Sequence, residues 1–175
     1  MLITYNFVLH NEKKYAYSVD TDRKKNLNEI STSDFPWVNL NIHRCSNCTL
    51  SKKTCKICPA AADIAHLIRD FSDKNSFEIV KVKVKDDFRE YYKECDLQTG
   101  LNSLLGLVLA TSGCPILSRL KYMAKSHLPF SSYEESFTRS ISLYLLKEYF
   151  QNQESGKGDF ELKNLEKFYE DLKIV

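Results

Sequence analysis

Alternating hydrophobic and polar residues predict two β-hairpins. The first strand places large hydrophobic residues on one face: Ile3, Tyr5, Phe7 and Leu9. The alternation resumes at Tyr15, Tyr17 and Val19 after a polar turn. Farther along the chain, valines alternate with lysines over 80–85, and Asp86-Asp87 turns the chain toward a polar strand at 89–94. Period-2 runs separated by polar turns are typical of half-buried antiparallel strands.

Helical periodicity dominates the remainder of the chain. Helices are predicted from Pro59, around Leu104 with a stop at Gly113, and over 115–126. The capping-box sequence Ser132-Tyr-Glu-Glu135 predicts the start of a further helix. We expect that helix to give way to a loop at 151–159 and to bury five apolar residues: Phe137, Ile141, Tyr144, Leu145 and Tyr149. A last amphipathic helix contains Leu165, Phe168, Tyr169 and Leu172.

These elements predict an α+β fold in which a small antiparallel sheet of two β-hairpins packs on a bundle of about five helices, with a cysteine-rich metal knuckle. A chain of 175 residues is long enough for one sizeable core, so we expect a single domain over 1–175. Its parts are an N-terminal hairpin and loop (1–36), the cysteine-rich knuckle (37–60), and a mainly helical body with the second hairpin (61–175).

Composition narrows the class of protein. The formal net charge is only +2, which argues against a general polyanion-binding surface. The first residues lack the basic segment of a signal peptide, and the apolar run Leu104–Ala110 is far shorter than the roughly 18–20 residues that cross a bilayer. We therefore expect a cytoplasmic protein with no membrane partner, in which clustered thiols serve as metal ligands or catalytic groups.

The main chemical signal is a pair of Cys-x-x-Cys motifs, Cys45–Cys48 and Cys55–Cys58. Four closely spaced thiolates are the ligand set of a structural Zn²⁺ site. An iron–sulfur cluster is the alternative cofactor, since it also takes four thiolates. Free or redox-active thiols are the third possibility. His43 is a reserve ligand, because it lies two residues before the first cysteine.

Two cysteines precede a proline that can begin a helix, in Cys58-Pro59 and Cys114-Pro115. A cysteine at a helix N-cap has a stabilised thiolate. Cys114 is therefore a buried structural thiol, a metal ligand or a reactive nucleophile, and no catalytic residue is assigned. His127 is the candidate base for Cys114, although the two residues would lie roughly 18 Å apart across one helix spanning 115–126.

Basic residues surround the cysteines: Arg44, Lys52, Lys53 and Lys56. Residues 1–60 carry nine basic and five acidic side chains, whereas 61–175 carry sixteen and eighteen, so positive charge is concentrated at the knuckle end. This permits a weak nucleic-acid or phosphate contact. The other interpretation is that these side chains offset the negative charge of a four-thiolate metal site.

Several motifs together resemble an uncharacterised bacterial family of domain-of-unknown-function proteins. They are Trp37, Cys45-x-x-Cys48, Cys58-Pro59-Ala60-Ala61, Ser112-Gly-Cys-Pro115 and His127-Leu-Pro-Phe130. The resemblance covers nearly the whole chain and brings no known activity with it. It implies ligands at Cys45, Cys48 and Cys58. If Cys55 is peculiar to this sequence, the resemblance makes Cys114 the alternative fourth ligand.

The sequence contains no glycine-rich phosphate loop and no paired catalytic carboxylate motif. We therefore expect a non-enzymatic interaction or regulatory module with a structural zinc site and a protein partner. The first alternative is a thiol- or metal-dependent enzyme that uses Cys114. The second is nucleic-acid binding through the basic knuckle.

Overall fold

A computed structural model describes residues 1–23, 33–51, 53 and 55–175. It contains four strands, β1 (Leu2–Val8), β2 (Lys14–Asp20), β3 (Ile79–Lys85) and β4 (Glu90–Asp96). They form one antiparallel sheet in the order β2-β1-β3-β4. The two predicted hairpins are therefore present, and the β1–β3 pairing joins them. Most of the predicted connecting loop, residues 24–32, and the basic residue Lys52 lie outside the described residues.

One face of the sheet forms the main core, and the described side chains on the other face are exposed or half-buried. Tyr5 pairs with Val84 and Phe7 with Val82, and all four side chains are buried. The lysines that alternate with the valines in β3 are exposed. This division follows directly from the alternation in the sequence, because successive side chains of a strand point to opposite faces.

Five α-helices complete the fold among the described residues. They are α1 (Pro59–Phe71), α2 (Leu97–Ala110), α3 (Lys121–Lys125), α4 (Tyr133–Ser155) and α5 (Lys163–Leu172). Short 3-10 turns occupy Pro36–Val38 and Leu117–Leu120. The sheet and helices confirm the predicted α+β class. In the part of the chain that the structure describes, no helix combines the length and apolar character needed to span a membrane.

The predicted stop of α2 at Gly113 is wrong. The helix ends at Ala110, and the Thr111 hydroxyl donates to the carbonyl oxygens of Leu107 and Val108 in its last turn, at 3.0 and 3.1 Å. Asp96 caps the other end by accepting a hydrogen bond from the backbone N–H of Thr99. A side-chain hydrogen bond therefore caps the start of α2, which packs against β3 and β4.

The helix predicted over 115–126 is divided into the 3-10 turn at Leu117–Leu120 and α3. The capping box at Ser132 is present, with both reciprocal hydrogen bonds, and begins α4 as predicted. The predicted loop at 151–159 begins too early, because α4 continues to Ser155 and ends at Gly156, whose φ is 67°. Glycine adopts that left-handed conformation without steric cost.

The predicted buried face of α4 is also partly wrong. Phe137 and Tyr149 are 52% and 51% exposed, whereas the buried residues are Ser140, Tyr144 and Glu148. These three residues lie four positions apart on the face against which α5 packs. The Ser140 hydroxyl hydrogen bonds with the Tyr169 hydroxyl at 2.6 Å. Apolar residues surround much of α4, so their spacing alone did not identify this face.

Candidate metal centre

Cys58, one of the candidate ligands, lies at the N-cap of α1 and is held there by a short antiparallel bridge between Asn39 and Ile57. The backbone N–H of Cys58 donates to the carbonyl of Val38 at 2.8 Å, and that of Leu40 donates to the carbonyl of Lys56 at 2.9 Å. Pro59 occupies the first turn of α1, where its missing N–H costs nothing. The thiol of Cys58 therefore lies at the positive end of the helix dipole.

The loop that carries Cys45 and Cys48 is held by three side-chain hydrogen bonds. The Nη2 atom of Arg44 donates to the carbonyl oxygens of Cys48 and Leu50, at 2.8 and 2.7 Å. The Nδ2 atom of Asn47 donates to the carbonyl of Asp171 at 2.8 Å. Arg44 thus shapes the loop itself, and Asn47 fixes the loop against the end of α5.

Four cysteines line one small cavity of about 30 Å³: Cys45, Cys48, Cys58 and Cys114. Cys114 is buried after the end of α2, and its carbonyl accepts the backbone N–H of Ser118 at 2.9 Å. Burial raises the pKa of the Cys45 thiol, and the neighbouring thiols of Cys58, Cys48 and Cys114 raise it further. The effect of the other three thiols on the pKa of Cys45, together with the shared cavity, indicates that the four sulfurs lie close to one another.

Cys55 lies apart from these four cysteines. It does not line the cavity, and its Sγ donates to the carbonyl of Ile57 at 3.1 Å. Of the four cysteines in the two sequence motifs, three therefore line the cavity, together with Cys114, the alternative fourth ligand that the resemblance implied. His43, the reserve ligand, also lines the cavity.

The donors are near one another but do not have the spacing of a formed metal site. Among residues 1–23, 33–51, 53 and 55–175, no group of three or more His, Cys, Asp or Glu side chains is arranged to hold an ion. All six cysteines are free thiols. The donor set suits a thiophilic ion, since it consists of four thiols and an imidazole around a cavity of ionic size.

The proposed catalytic pair of Cys114 and His127 is not brought together. The two residues line different cavities, and the Nε2 atom of His127 is hydrogen bonded to the Tyr5 hydroxyl at 2.5 Å. Of the basic residues near the cysteines, Arg44 is engaged with backbone carbonyls. Lys53 and Lys56 are exposed.

A second cavity, of about 430 Å³, surrounds His127 and contains functional groups that the sequence did not reveal. The Tyr5 hydroxyl hydrogen bonds with both His127 and Ser103, at 2.5 and 2.7 Å, and the Ser103 hydroxyl accepts the backbone N–H of Phe130 at 3.0 Å. Arg139 lines the same cavity. The motif at 127–130 pointed to this region but not to the groups around it.

Comparison with known proteins identifies the family. No curated protein and no solved structure matches the chain. A family model described as Domain of unknown function (DUF6901) matches residues 3–175. This confirms the resemblance to a domain-of-unknown-function family that the motifs indicated. The chain belongs to the family of the Domain of unknown function DUF6901.

Proposed function

We propose that this chain is a cytoplasmic, non-enzymatic interaction or regulatory module with a structural zinc site formed by Cys45, Cys48, Cys58 and Cys114. The observation that carries the proposal is the convergence of these four thiols on one cavity. Tetrahedral coordination by four thiolates is the common arrangement of structural zinc. Cys55 is not a ligand in this proposal, because its thiol faces a backbone carbonyl outside the cavity.

The size of the cavity favours a structural metal over a catalytic one. A volume of about 30 Å³ accommodates one ion or one water molecule but no organic substrate. Apolar residues complete the lining, among them Leu40, Ala60 and Ile116. A catalytic zinc site needs an open coordination position with room for substrate, whereas four thiolates in a closed apolar setting leave none.

The metal would connect segments that are distant along the chain. Cys45 and Cys48 belong to one loop, Cys58 begins α1, and Cys114 follows α2. Cys114 also belongs to a second hydrophobic cluster, separate from the main core, which includes Tyr144 of α4 and Phe168 of α5. Zinc at this position would therefore fasten the loop to the helical body, and binding would draw the four sulfurs together into tetrahedral geometry. Binding at structural zinc sites is worth on the order of 10 kcal/mol.

The experiment that tests this proposal is metal analysis of the purified full chain, followed by removal of metal with a strong chelator. We expect about one zinc per chain, and a marked fall in the unfolding temperature when zinc is removed, because metal binding is coupled to folding. Iron with inorganic sulfide in place of zinc would indicate the cluster instead. A folded protein that contains neither metal, and whose unfolding temperature added zinc does not change, would overturn the proposal.

A further inference from the structure

The cavity of about 430 Å³ has the size and lining of a small-molecule site. It lies among α2, α3, the segment after α3 and the first turns of α4. Natural ligand sites span about 300–1,000 Å³ and combine apolar walls with a few polar groups. The apolar lining residues include Leu107, Ala110, Leu120, Met123 and Leu128. The polar ones include Thr99, Ser103, His127, Ser131 and Arg139. The site therefore suits a ligand with both a polar and an apolar part.

The guanidinium of Arg139 places a positive charge in the lining of the cavity. Among the described residues that line it, Arg139 has the only ionised side chain at neutral pH, because burial, together with the Arg139 charge, lowers the pKa of His127 to about 4. The Nη2 atom of Arg139 donates to the Met123 carbonyl and to both oxygens of Ser126. No described residue accepts a hydrogen bond from its Nε or Nη1 atom. A positioned guanidinium with spare donors is suited to an anion.

Gly106 keeps one side of the cavity open. It lies within α2, where glycine costs about 1 kcal/mol relative to alanine. A Cβ atom at this position would meet no heavy atom within 4 Å, so close packing does not explain the glycine. Gly100 in the same helix is different, because a Cβ there would lie 2.9 Å from Cε1 of Phe7. Gly106 thus leaves space in the cavity at a cost in helix stability.

The rim of the cavity is held in an unusual backbone conformation. Phe130 has a φ of 59°, which is rare for a bulky residue and costs of order 1–3 kcal/mol. Its N–H is fixed by Ser103 at 3.0 Å. The positions of Ser103, Tyr5 and His127 are in turn set by their mutual hydrogen bonds. The polar groups of the site are therefore ordered before a ligand arrives, which lowers the entropic cost of binding.

We propose that this cavity binds a small monocarboxylate with an apolar body. The carboxylate would accept hydrogen bonds from Arg139, and the apolar body would lie along Leu107, Met123 and Leu128. A guanidinium forms paired hydrogen bonds with a carboxylate, and one positive charge matches one negative charge. A phosphate dianion is a poorer match, since no second cationic side chain lines the cavity among the described residues. The site is independent of the cysteine cavity, whose lining residues are different.

The test is an NMR titration of the isotope-labelled full chain as purified, with three probes: hexanoate, its neutral analogue hexanamide, and inorganic phosphate. We expect hexanoate to shift the amide resonances of Ser103, Gly106 and Phe130 in a saturable manner. Hexanamide and phosphate should bind at least about tenfold more weakly, because a hydrogen bond between two charged groups contributes roughly 1.5–3 kcal/mol.

Two variants distinguish recognition of the ligand's carboxylate from the fit of its apolar body in the cavity. Arg139→Gln should weaken hexanoate binding at least about tenfold and leave hexanamide binding nearly unchanged. Gly106→Leu should weaken both, because its side chain enters the open space, and it serves as the second variant if Arg139→Gln does not fold. The absence of a saturable shift with hexanoate, equal affinity for hexanamide, or tighter binding of phosphate would each overturn the proposal.

Discussion

The Tyr5 hydroxyl lies 2.5 Å from Nε2 of His127, although the two residues are 122 positions apart in the chain. Tyr5 is fully buried in β1, and His127 follows α3. The hydroxyl also hydrogen bonds with Ser103 of α2 at 2.7 Å. These hydrogen bonds join the sheet, α2 and the segment after α3, and the burial of the imidazole at this junction disfavours its charged form.

The first prediction concerns the pH dependence of stability. The pKa of His127 is lowered from 6.5 to about 4, mainly by burial. Between these values the unfolded chain binds a proton that the folded chain does not, so stability is complete above pH 6.5 and falls as the pH drops toward 4. We expect a loss of about 3 kcal/mol over this interval, measured by urea denaturation at several pH values.

His127→Gln should remove most of that pH dependence, because glutamine can still accept the Tyr5 hydrogen bond but does not titrate. His10→Gln is the matched control, since it removes an exposed imidazole and leaves the Tyr5 contact intact. If His127→Gln retains the full pH dependence, the dependence arises from other groups and the assignment to His127 is wrong.

The second prediction compares two glycines in α2. Gly106→Ala should stabilise the protein by about 0.5–1 kcal/mol, because alanine favours the helix and its Cβ meets nothing. Gly100→Ala should destabilise it by about 1–3 kcal/mol, since the new Cβ lies 3.0 Å or less from buried atoms of Phe7 and Val82. Chemical denaturation of the two variants measures both effects. The same sign for both would contradict the packing described around α2.

The third prediction concerns the two hydrogen bonds from Arg44 to the cysteine loop. Arg44→Gln should speed the release of zinc to a coloured chelator by about threefold to tenfold, because the carbonyls of Cys48 and Leu50 lose their shared donor. Lys53→Gln is the control. It removes the same charge from an exposed position in the same loop and should leave the release rate unchanged. Equal acceleration in both variants would point to a general charge effect.

Much of the fold was predictable because its patterns are local. The alternation in β1 and β3, the proline at the start of α1 and the capping box at Ser132 each act within a few residues. The buried face of α4 was not predictable, because apolar residues surround much of that helix. The packing of α5 against it determines which residues are buried. The end of α2 was placed too late, because the helix stops at Ala110 and Gly113 lies beyond its C-cap, Thr111.

The candidate site was predictable only in part, because spacing along the sequence does not show which side chains tertiary packing brings together. The spacing of the cysteines predicts that Cys45, Cys48 and Cys58 are ligands of one metal ion, but it predicts the same for Cys55. Cys114 lines the cavity through the packing of the turn after α2, and only the family resemblance, not the spacing of the cysteines, pointed to it. The contact of Tyr5 with His127 is likewise a product of tertiary packing.

The zinc contents of Cys114→Ser and Cys55→Ser, measured beside the unaltered chain, decide whether Cys114 or Cys55 completes the proposed metal site. The same substitution in both variants makes each a control for the other, and far-UV circular dichroism verifies that both are folded. We predict about one zinc per chain in Cys55→Ser and at least about tenfold weaker zinc binding in Cys114→Ser. Zinc retained by Cys114→Ser and lost from Cys55→Ser would contradict the account.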